Sequence, residues 1–359
     1  MNSTAHRAKA LAEVASHFAL LGSVSADEFL ETVALELGHA EILDGFRPYG
    51  PHFSKAIPSS TILHIVSGNT PHAALQSLLR GLLLGAHNLV KLPNGGLPEV
   101  DRFVSLLPDD LRRQVVLSEE LPDDWLRQAR AWVVFGRDET ISHFRALVGP
   151  DVLLEAHPHR VSLGLVFADP HGASARHAAR DASLFDQRGC LSPHDFYVQG
   201  DARNYAATLA VEMARQEAIN PRGPLTPSEA AEIHSLRTSL RFRAASDPRV
   251  QLWESDGNTA WTVIYEEDPA FTASCLNRVV YVKPLPADLP TALGPARTWV
   301  GAIGIWPATP DHAEIAATLT PSRICPLGTM QDPPWTWHQE GRQTLAPFVR
   351  WVDFESDLR

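Results

Sequence analysis

The chain has 359 residues, of which 44% are hydrophobic and 20% charged, and its formal net charge at pH 7 is -11. This length allows two domains with substantial cores, and the composition is ordinary for a globular protein. The negative charge argues against a nucleic-acid-binding surface and against an anionic membrane as the main partner. No signal peptide and no apolar stretch long enough to span a bilayer is present, so we expect a cytoplasmic protein.

The three cysteines are Cys190, Cys275 and Cys325. They lack the paired spacing of a disulfide framework, and no Cys-x-x-Cys motif or histidine cluster indicates zinc. We therefore expect no bound metal.

The first half of the chain alternates between strand-like and helix-like segments. Two amphipathic helices are expected in the first forty residues, the second starting near residues 25–28. After a Pro/Gly-rich stretch, the pattern predicts strands over 61–66, 88–92, 114–117, 131–135 and 151–155, and helices over 72–84, around Trp125 and over 138–147. This alternation predicts a doubly wound α/β domain.

A second α/β unit is expected from about residue 161. Its predicted elements are strands over 161–167, 195–199, 262–265 and 278–282, and helices over 171–185 and 227–243. Cys190 falls in the turn between the helix ending at 185 and the strand starting at 195. Gly189 lets the backbone of this turn approach a ligand closely, so Cys190 is a candidate nucleophile. The alternative is a small buried hydrophobe.

Three candidate ligand-binding positions follow strands of the first domain, although no Gly-x-Gly-x-x-Gly fingerprint is present. Asn69, in the turn after Ser67, offers a side-chain amide to an oxyanion or caps the next helix. Lys91 ends the next strand and either binds a nucleotide phosphate or ribose or is solvated. Gly136 could admit a phosphate at the N terminus of the following helix.

Four residues compete for the role of general acid or base. Glu155 ends a strand at the expected domain junction, and a carboxylate there can transfer protons. His157, His159 and His194 are rivals because imidazole titrates near neutral pH. The sequence does not rank them.

Seven segments, taken in order, resemble the aldehyde dehydrogenase superfamily and are most similar to its acyl-CoA reductases of the bacterial luminescence (LuxC) type. They are residues 67–71, 88–91, 134–137, 154–162, 185–193, 323–331 and 345–351. The segment around Cys190 is the most specific, and the match runs from about residue 61 to the C terminus.

The resemblance implies two doubly wound α/β domains, one binding the cofactor and one carrying the cysteine, with the active site in the cleft between them. We expect an N-terminal cofactor domain over 1–158, a catalytic domain over 159–325 and a C-terminal segment over 326–359 that returns to the cofactor domain or forms an oligomer interface. Cys190 would be the nucleophile and Asn69 an oxyanion donor. Glu155 matches the family's base, while Ser67, Lys91 and Gly136 match its cofactor-binding segments.

Two departures from the superfamily pattern affect these expectations. The family's Glu-Leu-Gly-Gly becomes Glu155-Ala156-His157-Pro158, which leaves the role of the glutamate open. Asn94 stands where NAD-preferring relatives commonly carry a glutamate that binds the ribose hydroxyls. Without that carboxylate a 2′-phosphate is less repelled, so the expected cofactor is NADPH.

The implied reaction is reduction of a fatty acyl thioester, carried on CoA or on a protein, to an aldehyde through an acyl-Cys190 intermediate. Alternatives are NAD(P)+-dependent aldehyde oxidation on the same fold and a non-catalytic relative that binds acyl groups or nucleotides. The resemblance also implies an acyl-transfer protein as partner and a homo-oligomer formed through the strand near residues 348–352.

Overall fold

The computed structural model describes residues 2–68, 71–169 and 172–355. The chain forms two compact units, one comprising Met1–His159 and Pro334–Arg359 and the other Arg160–Pro333. The α/β class predicted from the alternation of strands and helices is confirmed, because each unit contains a largely parallel sheet with helices packed on it. Within the described ranges, no helix combines the length and apolar character needed to cross a bilayer.

The N-terminal part of the first unit contains helices and strands in alternation after a helical start. Its helices are α1 (Thr4–Ala15), α2 (Ala26–Leu37), α3 (Pro71–Leu84), α4 (Pro98–Leu106), α5 (Asp109–Arg112), α6 (Asp123–Gln128) and α7 (Asp138–Leu147). Its strands are β1 (Arg47–Tyr49), β2 (His52–Pro58), β3 (Thr61–Ile65), β4 (His87–Lys91), β5 (Val115–Ser118), β6 (Ala131–Phe135) and β7 (Leu153–His157). The expected start of the second helix is confirmed by a capping box between Ser25 and Glu28.

Five strands of this unit form a parallel sheet in the order β5-β4-β3-β6-β7. The chain moves outward from β3 to β4 and β5 and then returns to the other side of β3 with β6. The sheet therefore has a topological switch point between β3 and β6, where open α/β sheets bind ligands beyond the carboxyl ends of their strands. All five residues of β6 are buried, as expected for a strand covered on both faces.

The second unit is built around a seven-stranded sheet. Its helices are α8 (Ala173–Ser183), α9 (Ala202–Ile219), α10 (Pro227–Ser246), α11 (Leu289–Leu293) and α12 (Pro310–Ala317). Its strands are β8 (Val161–Val166), β9 (Pro193–Val198), β10 (Val250–Glu254), β11 (Thr262–Glu266), β12 (Val279–Pro284), β13 (Val300–Trp306) and β14 (Arg323–Pro326). The order is β10-β11-β12-β9-β8-β13-β14, and only the pair of β10 with β11 is antiparallel.

Two elements of the second unit differ from the sequence-based prediction, namely the helix before Cys190 and the strand β13. The helix expected over 171–185 ends at Ser183, because the next residues leave the helical region. Strand β13, next to the edge strand β14, carries no clear sequence signal, since Gly301 and Gly304 lower its strand propensity. Gly304 is required by packing, because a Cβ there would lie 2.6 Å from Cδ2 of Leu327.

The last described segment returns to the first unit. Trp335 packs edge-on against Phe29 at a centroid distance of 4.8 Å. The Glu36 carboxylate accepts the backbone N–H groups of Thr344, Leu345 and Ala346 at 2.6 to 3.1 Å. β15 (Val349–Phe354) then pairs antiparallel with β2, which forms a separate three-stranded sheet in the order β1-β2-β15.

Candidate active site

Cys190 occupies the corner of a tight turn that leads into β9. The backbone N–H of Ser192 donates to the carbonyl of Gly189 at 3.0 Å, which closes a β-turn over residues 189–192. Cys190 is exposed, whereas Cys275 is half-buried and Cys325 is buried. Burial raises the pKa of the Cys275 thiol to about 11 and also raises that of Cys325. Cys190 is therefore the most accessible of the three sulfurs to an external ligand.

The approach to this turn is a run of left-handed backbone. Phe185, Asp186 and Gln187 have φ values of 52°, 53° and 62°, although none of them is a glycine. Each such residue costs roughly 1–2 kcal/mol, so the surrounding contacts must hold the segment in place. Strain of this kind is concentrated at functional sites in proteins.

The buried Gln187 amide holds the run through four hydrogen bonds, one of which its Oε1 accepts from the Ser274 hydroxyl at 3.4 Å. Its Nε2 donates to the carbonyls of Pro193 and Val279 at 2.8 Å, and its Oε1 accepts the Val279 N–H at 2.9 Å. These bonds tie the segment before Cys190 to the first residues of β9 and β12. The amide has its polar atoms satisfied, as a fully buried side chain requires.

A buried arginine, Arg278, also holds the left-handed run that contains Asp186. Arg278 is 1% exposed and lies 2.7 Å from both an Asp186 oxygen and a Glu217 oxygen. Its own backbone is left-handed, with φ of 66°. The left-handed run at 185–187 and the left-handed residue Arg278 are thus joined by a charge-assisted hydrogen bond, which is stronger than a bond between neutral groups.

Side chains from β8 and from the loop after β14 also hold the turn. Ser162 on β8 donates its hydroxyl to the Cys190 carbonyl at 2.7 Å. Gln331 donates its Nε2 to the Ser192 hydroxyl at 3.0 Å and to the Asp181 carbonyl at 3.3 Å. The Asp181 carboxylate accepts the N–H of Gly328 at 2.6 Å, which anchors the loop that carries Gln331. The sequence-based reasoning missed these residues, since nothing local marks them.

His194 lies close to Cys190 in sequence but is engaged by the backbone. It is buried on β9, and its Nδ1 lies 3.0 Å from the Ser274 backbone N–H, which can only donate. Nδ1 is therefore the unprotonated nitrogen, and its lone pair is occupied. This geometry makes His194 a weaker candidate base than a histidine with a ring nitrogen directed at a ligand.

The candidate cofactor residues of the first unit lie beyond the carboxyl ends of three adjacent strands. Ser67 follows β3, Lys91 ends β4 and Gly136 follows β6. The parallel pairing of these strands brings the three positions to one edge of the sheet, at its switch point. A Cβ at Gly136 would lie 2.9 Å from Cβ of Thr140, so the turn into α7 requires glycine. Asn69 lies outside the described residues.

Asn94 is exposed in the loop after β4. The Glu119 carboxylate, from the segment after the neighbouring strand β5, contacts this loop. Glu119, directly after β5, accepts the Gly95 N–H through Oε2 at 2.9 Å. The sequence analysis considered only position 94 and did not identify Glu119, which is 25 residues further along the chain. The parallel pairing of β4 with β5 places the Glu119 carboxylate next to the loop that carries Asn94.

Glu155 lies within β7, and its Oε1 is 3.3 Å from Nη1 of Arg342. It also lines a cavity of about 20 Å³ that Arg80 shares, enough for a single water molecule. Nε and Nη2 of Arg80 are buried and have no hydrogen-bond partner among the described residues. Burial lowers the pKa of Arg80 to about 10, while Glu36 and Glu155 act in the opposite direction.

The two remaining histidine candidates differ in environment. His157, at the end of β7, stacks on Phe135 with centroids 4.3 Å apart, and its Nδ1 lies 2.9 Å from a Glu340 oxygen. His159 is exposed in the segment that follows. Among the residues with described positions, no group of three His, Cys, Asp or Glu side chains could hold a metal ion.

Comparison with known proteins gives a consistent result at the level of family. The family model described as acyl-CoA reductase (LuxC) matches residues 4–351. A long-chain acyl-protein thioester reductase of Aliivibrio fischeri is 24% identical over 266 residues, covering 70% of this chain and 54% of the relative. Long-chain acyl-protein thioester reductase 2 of Photobacterium leiognathi is 23% identical over 342 residues, covering 90% and 70%. The chain thus spans about half the length of the first relative.

Solved structures share the fold at low sequence identity. The methylmalonate-semialdehyde dehydrogenase of Oceanimonas doudoroffii superposes with a TM-score of 0.71 at 13% identity, covering 98% of this chain and 85% of that one. An NAD-dependent benzaldehyde dehydrogenase of Corynebacterium glutamicum gives 0.62 at 12% identity, covering 99% and 86%. The predicted aldehyde dehydrogenase-like fold is thereby confirmed.

Proposed function

Because the chain belongs to the acyl-CoA reductase (LuxC) family, we propose that it reduces a fatty acyl thioester to an aldehyde through an acyl intermediate on Cys190. The observation that carries this proposal is the setting of Cys190. Its side chain is exposed at the corner of a turn that Ser162, Gln187 and Gln331 hold in place. An exposed thiol on a fixed backbone is what covalent catalysis requires.

The proposed first half-reaction is transfer of the acyl group to the protein. The Cys190 thiolate attacks the thioester carbon, a new carbon–sulfur bond forms, and the bond to the carrier sulfur breaks. The carrier leaves as a thiolate that takes up a proton. NADPH, when bound, supplies the hydride that the second half-reaction needs. Cys190 leaves as a thiolate when the aldehyde forms, which returns the side chain to its starting state.

The tetrahedral oxyanion in both half-reactions needs hydrogen-bond donors. We propose the backbone N–H of Cys190 and the Asn69 amide. The peptide between Gly189 and Cys190 is trans, and its carbonyl accepts the Ser192 N–H inside the turn. The Cys190 N–H therefore points away from the interior of the turn, which supports its assignment as a donor.

The residues at the switch point of the first sheet fit a nicotinamide dinucleotide. Ser67, Lys91 and Gly136 would hold its phosphates and ribose, because they lie together beyond the strand ends. We propose NADPH over NADH since Asn94 offers no carboxylate to repel a 2′-phosphate. Glu119 carries a negative charge at this loop that opposes the preference, although the Gly95 N–H already binds it.

We propose Glu155 as the group that transfers protons during the cycle. It is partly buried, lies on a strand of the same sheet and has one oxygen near Arg342. Of the histidines, His157 contacts Glu340 and His194 accepts a backbone N–H, so both have a ring nitrogen engaged.

The substrate and partners follow from the family rather than from any contact. We propose that the acyl group arrives on CoA or on an acyl-transfer protein, in the cytoplasm. A homo-oligomer is proposed through β15, whose outer edge carries no strand partner among the described residues. Trp351 and Phe354 on this strand are 39% and 52% exposed, so the strand presents aromatic surface that a second copy would cover.

The proposal is tested by intact-protein mass spectrometry. The protein is mixed with a long-chain acyl-CoA, the mass is recorded, and NADPH is then added. We expect an acyl adduct at Cys190 that disappears with NADPH as aldehyde appears, and no adduct in Cys190→Ala. An adduct that NADPH leaves unchanged would indicate acyl transfer only. Absence of an adduct with every chain length would contradict the proposal and favour aldehyde oxidation or a non-catalytic relative.

A further inference from the structure

Ser162 connects the backbone of the candidate nucleophile to the central sheet of the second unit. Its side chain is fully buried on β8. The hydroxyl donates to the Cys190 carbonyl at 2.7 Å and accepts the Ala302 N–H at 3.1 Å. Both bonds have ordinary hydrogen-bond lengths and join segments that are distant in sequence.

The hydroxyl sits where the sheet itself is irregular. The pairing of β8 with β9 shifts between Ser162 and Leu163, and that of β8 with β13 shifts between Val300 and Ile303. A shift of this kind removes backbone groups from the ladder, and buried backbone groups must find other partners. The Ser162 side chain provides one for Ala302 and one for Cys190.

These bonds fix both peptide groups that flank Cys190. The preceding peptide is held by the turn, since the Gly189 carbonyl accepts the Ser192 N–H. The following peptide is held by Ser162. With both planes fixed, the direction of the Cα–Cβ bond and of the Cys190 N–H is also fixed.

We infer that Ser162 is a positioning residue for acyl transfer to Cys190. Its hydroxyl holds the nucleophile's backbone so that sulfur and N–H meet the thioester carbon and its oxygen together. The inference rests on the proposed function, because it needs Cys190 to be the acylated residue. Because Ser162 is fully buried, its role would be exerted through the Cys190 backbone and not by direct contact with substrate or cofactor.

The experiment compares two reactions of the same sulfur. Acylation by a long-chain acyl-CoA needs the sulfur and the oxyanion donor in register, whereas alkylation by iodoacetamide needs only an accessible thiolate. Ser162→Val and Ser162→Thr form a matched pair, since the two side chains have nearly the same shape and only Thr keeps the hydroxyl. Both rates are measured at Cys190 by peptide mapping, together with kcat, KM and the melting temperature.

Ser162→Val should acylate roughly 10- to 100-fold more slowly than Ser162→Thr, while the two alkylate at similar rates. The loss should appear in kcat more than in KM. Equal acylation rates in the two variants would overturn the inference, as would a parallel fall in acylation and alkylation. If Ser162→Val does not fold, Ser162→Ala adds no atoms to the buried strand and replaces it in the comparison with the parent.

The proposed function and the positioning role of Ser162 are contradicted by different results. If the parent protein forms no adduct at Cys190, the proposed function fails and the role of Ser162 fails with it. If the parent is acylated and Ser162→Val matches Ser162→Thr, only the positioning role is lost.

Discussion

Oε1 of Glu155 lies 3.3 Å from Nη1 of Arg342, so the carboxylate proposed for proton transfer is paired with a cation from the C-terminal return. The arginine side chain is 60% exposed and the glutamate side chain 13%, so solvent at the arginine weakens the pair. Glu155 can therefore leave Arg342 at small cost.

We expect Glu155→Gln to lower turnover by roughly 100-fold or more, as loss of a general acid–base group does. Arg342→Ala should change turnover by less than about tenfold, because an exposed ion pair is worth about 1 kcal/mol or less. Steady-state kinetics with an acyl-CoA and NADPH measures both. Unchanged turnover in Glu155→Gln would move the role to a histidine, and His159→Gln would then be tested first, because His157 and His194 each have a ring nitrogen engaged.

The sequence predicted the fold well because alternating strands and helices leave a periodic signal. The segments 131–135 and 138–147 were bounded correctly, since apolar runs and flanking polar residues agree there. β13 could not be predicted in the same way, because Gly304 is required by its packing against Leu327 and Met330, which come from a later segment of the chain.

The candidate site was only partly accessible to sequence reasoning. Cys190 could be selected because its turn lies between predicted elements. The turn and the run before it are held by Ser162, Arg278 and Gln331, which lie 28, 88 and 141 positions from Cys190 in the chain. Only the folded sheet brings them there, so neither spacing nor composition could identify them.

Glu36 should stabilise the C-terminal return. Its carboxylate accepts three backbone N–H groups and the Thr344 hydroxyl, all at 3.1 Å or less. Glu36→Ala should lower the free energy of unfolding by about 1.5–3 kcal/mol, the range for hydrogen bonds to a charged group. Urea denaturation measures this change. Glu31→Ala, on the exposed face of the same helix, is the control, and an equal effect of both variants would contradict the prediction.

Asp181 should make stability depend on pH. Burial raises the pKa of its carboxyl to about 7, against the bonds from Gly328 and Met330, which lower it. A carboxyl with a raised folded-state pKa binds its proton more tightly in the native protein than in the unfolded chain. Its contribution to stability is therefore fully present below about pH 4, decreases as the pH rises to about 7, and is constant above that.

Asp181→Asn removes this titration. The unfolding free energy of the parent minus that of the variant should decrease by a few kcal/mol, at most about 4, between pH 4 and pH 8. Arg180, Asp332, Tyr205 and Cys325 are the charged or titratable neighbours and remain in both proteins. Denaturation at several pH values measures the difference, and a constant value across the range would show that Asp181 keeps an ordinary pKa.

Glu119 should weaken the preference for NADPH. Its Oε2 lies 2.9 Å from the Gly95 nitrogen, in the loop where Asn94 replaces the expected ribose-binding glutamate. A carboxylate at this loop repels a 2′-phosphate by roughly 1 kcal/mol at an exposed site, and salt screens the effect. Glu119→Gln should therefore tighten NADPH binding about three- to tenfold and leave NADH nearly unchanged.

The matched control is Glu120→Gln, which removes the same charge one residue further on at an exposed position whose N–H binds the Ser118 hydroxyl. Dissociation constants for both cofactors are measured by fluorescence titration at low and at physiological salt. A gain in NADPH affinity restricted to Glu119→Gln and reduced by salt would place the 2′-phosphate near this loop. An equal gain in both variants would indicate only the general charge of the protein. An equal gain for NADPH and NADH would contradict the prediction, because the carboxylate would then act on a part common to both dinucleotides.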